Sequence, residues 1–302
     1  MIRKVPPKKG KLLGLKKSVA ADSAKYQLPE EMKEPCDDFF RYMILIYGRP
    51  GIGKSSFAAS FPDTLMLSAE RVSKGIQCFD FNAEEGGVHN WEVFQAAIKL
   101  LEKTDRFQTV AIDTIDALYN HCLRYVCQKE GMTHPSDDGY GKGWDAIKKE
   151  FTHWLDRLWA TGRGVVFTSH AKEVEVKSHT GEAYTRIQPT MSGQAYAFIK
   201  AKTDFVFYAE YYRDDQGNPL RILVTAGDDV VDAKSAGNLP RFLQLQKDNG
   251  VQIVVDAFAG EDVGIAPDQL RAGKQTSKSG GSLIQKARME KIKTKGIIKR
   301  KK

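Results

Sequence analysis

Residues Met43–Ser56, MILIYGRPGIGKSS, constrain the chain more than any other stretch. Five apolar or aromatic residues run into a glycine-rich turn that closes on Lys54 and Ser55. This predicts a buried strand followed by a phosphate-binding loop. The spacing Gly48-x-x-x-x-Gly53-Lys54-Ser55 fits the P-loop pattern, in which backbone N–H groups wrap phosphates, the lysine reaches the β and γ oxygens and the serine hydroxyl meets Mg²⁺. Gly48, Gly51 and Gly53 allow positive φ and close approach of backbone to ligand, while Arg49, Pro50 and Ile52 complete the loop. Ser55, Ser56 and the apolar Phe57, Ala58 and Ala59 open a helix whose N-terminus favours an anion. The expected ATP-binding set is therefore Gly48, Arg49, Pro50, Gly51, Ile52, Gly53, Lys54, Ser55 and Ser56.

A chain of 302 residues accommodates one large α/β domain with tails. No apolar run approaches the length of a membrane span and the basic N-terminus lacks the apolar segment of a secretory signal, so the expectation is a soluble, cytoplasmic protein with no membrane partner. Cys36, Cys78, Cys122 and Cys127 are scattered without a CxxC pair, which argues against a disulfide framework or a zinc site. The net charge of +8 is unevenly placed: residues 1–17 carry +7 and residues 274–302 carry +10, leaving −9 on the body between them. Two basic ends around an acidic body suit nucleic-acid phosphates, or simply stay solvated. The expected organisation is a basic flexible arm over 1–38, a core over 39–262 and a basic flexible tail over 263–302.

Within the core, Thr64–Ser68 is a short apolar strand leading to Ala69-Glu70, which places a carboxylate at a strand tip beside the nucleotide. Residues 71–90 form a loop with a short strand at Ile76–Phe81. Trp91–Lys103 has apolar residues at helical spacing. Thr109–Asp113 is a β-branched strand ending in an acid about sixty residues beyond the P-loop; the apolar run buries the strand and the terminal Asp113 orders the hydration shell of Mg²⁺. Helices are expected over Ile115–Glu130 and Trp144–Trp159. The intervening Thr133–Gly143 is a loop whose Tyr140 and Lys142 suit stacking on a base and contact with a phosphate. Val165–His170 is a buried strand with a polar end at Thr168, Ser169 and His170. Alternating residues around Ser178–Gly181 predict a hairpin over Lys172–Gln188 bearing Lys172, Lys177 and Arg186, candidate DNA contacts. A helix from about Gly193 and strands at Thr203–Tyr211, Leu220–Thr225 and near Val251–Val255 or just before it finish the core.

The series GRPGIGKS (48–55), LSAE (67–70), VAIDT (110–114), YGKGW (140–144) and FTSH (167–170) resembles the RecA-like P-loop ATPases carried by phages, including single-strand-annealing recombinases, over roughly residues 40–225. The resemblance implies an α/β fold with a mostly parallel central sheet flanked by helices, plus the hairpin and basic tails. It makes Glu70 the general base that activates water, with Lys54, Ser55 and Mg²⁺ offsetting charge on the transferred phosphoryl and Asp113 supporting the metal. The family's polar sensor falls on Thr168, Ser169 or His170, with His170 preferred. Members work as rings or filaments with ATP at subunit boundaries, and Lys200 and Lys202 are the candidates for a basic residue acting in trans. The chain lacks the large C-terminal domain of full-length bacterial recombinases, which points to annealing or loading rather than autonomous strand exchange.

The leading expectation is an ATPase acting on single-stranded DNA in phage recombination, annealing or replication, in company with other proteins of those processes. The alternative is a nucleotide-switched assembly or loading factor whose main partner is protein. A small-molecule P-loop kinase fits less well, because no arginine-rich lid segment follows the Asp113 strand.

Overall fold

The computed structural model describes residues 29–272 except 73, 138, 179–180 and 247–249. Most of the expected basic arm and tail therefore lies outside the described residues. The chain divides into two units, Met1–Asp37 and Asp38–Lys302. The described part of the first, residues 29–37, has no helix or strand.

The second unit is organised by strands that read as unbroken apolar runs because helices cover both faces of the sheet. β1 (Met43–Gly48), β2 (Thr64–Ser68) and β4 (Thr109–Asp113) are buried almost throughout. So are the first six residues of β5 (Gly164–Lys177). With the two-residue β3 (Phe79–Asp80), β7 (Phe205–Arg213), β8 (Pro219–Val224) and β9 (Phe242–Gln244) they form one sheet in the order β3-β2-β4-β5-β1-β7-β8-β9. Pairing is parallel from β3 to β7 and antiparallel from β7 to β9. β5 thus lies between the P-loop strand and the Asp113 strand. The mostly parallel sheet is as the sequence predicts.

Alternation of side chains across the sheet divides the core in two. On one face Leu45, Ile112, Phe167 and Val206 meet α2 (Trp91–Leu101), α3 (Ile115–Lys129), α4 (Lys142–Ala160) and α5 (Gly193–Lys202). The stripe Ile147, Phe151, Leu155 and Leu158 that marks α4 as amphipathic is fully covered; burying a side chain such as Phe151 stabilises by roughly 1.5–3 kcal/mol. Ring contact of Tyr119 with Phe151, and of the Cys122 thiol with the Ile147 carbonyl, sets α3 and α4 antiparallel. The opposite face, with Ile44, Ile46, Val166 and Phe207, is covered by α1 (Lys54–Ala59) and α6 (Gln252–Phe258). Three of the four helices on the first face start on polar caps: Asn90 accepts from Val93 N–H, Thr114 from Ala117 N–H and Ser192 from Ala195 N–H, while α4 starts on Gly141.

Several boundaries differ from expectation. The strand predicted near Val251–Val255 is the helix α6, because Val251, Val254 and Ala257 share a buried face at three-residue spacing, a helical period that its β-branched composition obscures. The strand predicted at Ile76–Phe81 shrinks to Phe79–Asp80. The fold also continues past residue 262, where β10 (Arg271–Ala272) pairs antiparallel with the end of β7. The hairpin is present, but β5 enters it without a break: Ala171–Lys177 pairs antiparallel with β6 (Ala183–Pro189), closed by Gly181 at φ 89°. His179 and Thr180 of its turn lie outside the described residues. No helix among the described residues is long and apolar enough to cross a membrane.

Candidate active site

β1 delivers the P-loop to the C-terminal edge of the sheet. Gly51 and Gly53 hold φ of 78° and 107°, in the left-handed region that other residues rarely adopt. Gly48 serves packing rather than the turn, since a β-carbon there would lie 2.3 Å from the carbonyl oxygen of Ala209 on β7. Lys54 is 6% exposed and its ammonium donates to the carbonyls of Gly48 and Arg49 at 3.0 and 2.9 Å. Burial lowers its pKa, and the negative charges of Asp113, Asp116 and Glu70 work the other way. The start of the loop is fixed to β7, where Arg49 pairs with Glu210 at 3.3 Å and the Tyr208 hydroxyl donates to the same carboxylate. Ser55 is half-buried and Ser56 exposed.

Three further strand ends supply the carboxylates and their partners. β2 pairs with β4 so that Ser68 stands beside Asp113, and the Asp113 carbonyl accepts from the N–H groups of Ala69 and Glu70. That locks Glu70 beside Asp113 although 43 residues separate them in the chain. The Glu70 carboxylate meets His170 Nε2 at 3.2 Å and accepts from the Thr114 hydroxyl at 3.4 Å. Asp113, 8% exposed, accepts from the Thr168 hydroxyl; its peptide bond to Thr114 is cis. Glu70, Asp113 and His170 are thus gathered with Lys54 at one edge of the sheet, and Thr168, Ser169 and His170 each take a different partner there.

Two acids escaped sequence reasoning. Asp116, in the first turn of α3, accepts from Ser169 Oγ at 3.0 Å, His170 N–H at 3.2 Å and Thr190 Oγ1 at 2.7 Å, joining the end of β5's buried half to the base of the hairpin. From sequence it is one more helix N-terminal acid. Asp80 on β3 accepts from Ser68 Oγ at 2.7 Å; burial pushes its carboxyl above the usual carboxylate range, nearby Asp113 adds to the rise and the Ser68 bonds oppose it. His121 meets the Ala69 carbonyl through Nε2 at 2.8 Å.

The expected Mg²⁺ is tested by the donors present. No group of three or more His, Cys, Asp or Glu side chains among the described residues is arranged to hold a metal on its own. Mg²⁺ in phosphate chemistry needs no such cage, being held by one or two carboxylates, a hydroxyl, water and the substrate's own oxygens. Ser55 and the buried Asp113 fit that role.

The outlying candidates fare differently. Tyr140 is fully exposed and held at φ 61°, with Lys142 exposed beside it at the start of α4. The hairpin is not the basic projection expected, because Glu173, Glu175 and Glu182 balance Lys172, Lys177 and Arg186. Two of those bases are also engaged: Lys172 donates to the carbonyls of Thr190 and Met191, and Arg186 pairs with Asp232 at 3.3 Å. Only Lys177 keeps the exposed character expected of all three. Lys200 pairs with the same Asp232, and Lys202 lies 3.2 Å from Asp156 and 4.9 Å from the Trp159 ring centre. Neither candidate for trans action projects free of its own chain.

A P-loop strand separated by one strand from the strand carrying Asp113, with acids at the neighbouring tips of a mostly parallel sheet, gives an α/β P-loop fold. The family profile described as AAA domain matches residues 41–236, and the chain belongs to that family. The SPbeta prophage-derived uncharacterized protein YorG of Bacillus subtilis (strain 168) is 28% identical over 138 residues, which are 43% of this chain and 41% of that protein. The chain therefore matches less than half the length of this relative. Among solved structures, the KaiC-like protein PH0186 of Pyrococcus horikoshii OT3 aligns over 70% of this chain and 88% of its own at 12% identity and TM-score 0.39. The flagellar accessory protein FlaH of Methanocaldococcus jannaschii aligns over 68% and 85% at 12% identity and TM-score 0.36.

Proposed function

We propose that this protein is a Mg²⁺-dependent ATPase that acts on single-stranded DNA in phage recombination, annealing or replication. The observation that carries the reading is the convergence of Glu70, His170 and Thr114 beside Lys54 and Asp113, four strand ends around one phosphate position. Glu70, oriented by the Thr114 hydroxyl and the His170 ring, takes the proton of the attacking water. Lys54 offsets charge on the phosphoryl group in transfer. Ser55 and Asp113 would hold Mg²⁺, which would supply charge neutralisation to the phosphates. His170, whose backbone N–H and whose neighbour Ser169 both bond Asp116, reports the state of Glu70 to the hairpin base.

The DNA assignment is supported by Tyr140, an aromatic ring presented to solvent next to Lys142, and by the basic ends of the chain. The similar Bacillus subtilis protein is prophage-derived, which supports a phage setting. The reading includes assembly of copies into a ring or filament. The experiment is ATP turnover with and without single-stranded DNA at low salt, where phosphate contacts are strongest. Stimulation by DNA is expected; turnover indifferent to DNA, with no binding, refutes the DNA half while leaving the ATPase intact.

The charge balance of the hairpin favours one second reading, a nucleotide-switched assembly or loading factor whose main partner is protein. Sedimentation with ATP, with ADP and with DNA separates the two, since assembly that follows nucleotide alone belongs to the switch.

A further inference from the structure

The acids of the site give the nucleotide a direction. Glu70, Asp113 and Asp116 belong to β2, β4 and the helix after β4, all on one side of β1 in the sheet order, and they are the charges that act on Lys54. The reacting γ end of a triphosphate therefore lies on that side of the P-loop, and its nucleoside end on the other, toward β7 and β8.

On that other side β8 brings in Arg221, which pairs with Tyr211 across β7. A β-carbon on Gly53 would lie 3.0 Å from Arg221 Nη1, so the guanidinium reaches the P-loop itself. Arg221 is half-buried and makes no side-chain hydrogen bond or ion pair among the described residues, in contrast to Arg157, Arg186 and Arg241, which all meet acids. A small pocket lined by Gly53, Ser56, Phe57 and Arg221 shares Arg221, Leu245 and Gln246 with a neighbouring groove of about 520 Å³ along Tyr211 and Leu220. That volume lies in the ~300–1,000 Å³ range of small-molecule sites. Apart from the Arg221 guanidinium, the groove is lined by apolar surface with the amides of Gln244 and Gln246 and the Tyr211 phenol, chemistry suited to a base and a ribose.

We propose that this groove seats the nucleoside of the bound nucleotide, with the Arg221 guanidinium lying against base and ribose and Gln246 bonding the base edge. A planar guanidinium stacks on an aromatic face while donating to hydroxyls at its rim, which an ammonium does not. The inference rests on the nucleotide-binding reading of the P-loop.

The test is calorimetric titration of the full chain with ATP, ADP and inorganic tripolyphosphate, each with Mg²⁺. Arg221→Ala is expected to weaken ATP and ADP alike by about 10- to 100-fold, the range for one lost hydrogen bond to a charged group, and to leave tripolyphosphate unchanged. Unchanged ATP and ADP affinity overturns the proposal. So does a loss confined to ATP, which places Arg221 on the γ-phosphate, or an equal loss for tripolyphosphate, which places it on the phosphates generally. Gln246→Ala, with a smaller loss in the same pattern, provides the test if Arg221→Ala does not fold; no change in that variant overturns the proposal too. Wild-type protein that binds none of the three ligands refutes the P-loop reading beneath it, an outcome distinct from all of these.

Discussion

Asp232 is 5% exposed and gathers three partners: its carboxylate accepts from Tyr196 on α5 at 2.7 Å, pairs with Lys200 one turn further along α5, and pairs with Arg186 on the hairpin strand β6. Its carbonyl accepts from the Tyr47 hydroxyl of the P-loop strand at 2.8 Å. Asp232→Ala leaves that backbone bond in place and removes the carboxylate. The Tyr196 hydroxyl, in a residue 8% exposed, then lacks its acceptor, at a cost of roughly 1–3 kcal/mol. Lys200 and Arg186 have side chains 36% and 30% exposed and regain water, so each pair is discounted to at most about 1 kcal/mol. The expected loss is about 3 kcal/mol, read as a lower urea midpoint at unchanged slope and a melting point lower by about 6–12 °C. A loss below about 1 kcal/mol refutes the view that the Asp232 carboxylate ties the hairpin to α5. Burial acts to raise the Asp232 pKa, but hydrogen bonds from Lys200 and Tyr196 and the charges of Lys200 and Arg186 outweigh it and hold the carboxyl below its ordinary 3.8. A native pKa below the unfolded one means stability that is present above the ordinary value and is lost as pH falls through the native one. The wild-type protein should therefore lose more stability below about pH 4 than Asp232→Asn does. Lys200→Ala, removing one part-exposed pair, should cost about 1 kcal/mol or less and leave turnover unchanged; lost turnover at near-native stability would return Lys200 to action in trans.

Glu70→Gln should keep ATP affinity and lower turnover by about 10²- to 10⁴-fold in a steady-state assay, the usual contribution of a positioned base; unaffected turnover removes Glu70 from that role. Lys54→Ala should impair both nucleotide affinity and turnover, measured by titration and phosphate release. Tyr140→Ala should weaken single-stranded DNA by about 1–3 kcal/mol in a fluorescence titration, as expected for one stacked base, with the melting point unchanged because the ring touches solvent alone. Gly48→Ala, with its β-carbon 2.3 Å from the Ala209 carbonyl, should separate β1 from β7 and give little folded protein on expression.

Much of the candidate site was legible in the chain because strands buried on both faces announce themselves as apolar runs, and the polar residues that follow each run mark a strand tip. Glu70, Asp113 and His170 follow that rule. Asp116, Asp80, Arg221 and Asp232 do not, because their roles come from partners distant in sequence; the Asp116–Thr190 bond spans 74 residues. Lys172, Arg186 and Lys200 looked like free cations for the same reason, since nothing local foretells the carbonyls of Thr190 and Met191 or the carboxylate of Asp232. α6 was misread where β-branched residues occupy a helix whose buried face outweighs their local preference.

β5 has a mechanical side as well. Its buried half ends beside Glu70 and the same strand, unbroken, becomes one arm of the hairpin. Backbone bonds from Ile187 and Asp232 pin the partner strand opposite Glu173, leaving Val174–Lys177 as a free arm of about 13 Å at the usual strand rise. A tilt of about 10° where the strand leaves the sheet would carry the hairpin tip through about 2 Å at that arm length. β5 is in this sense a lever with its short end beside Glu70 and its long end at the surface.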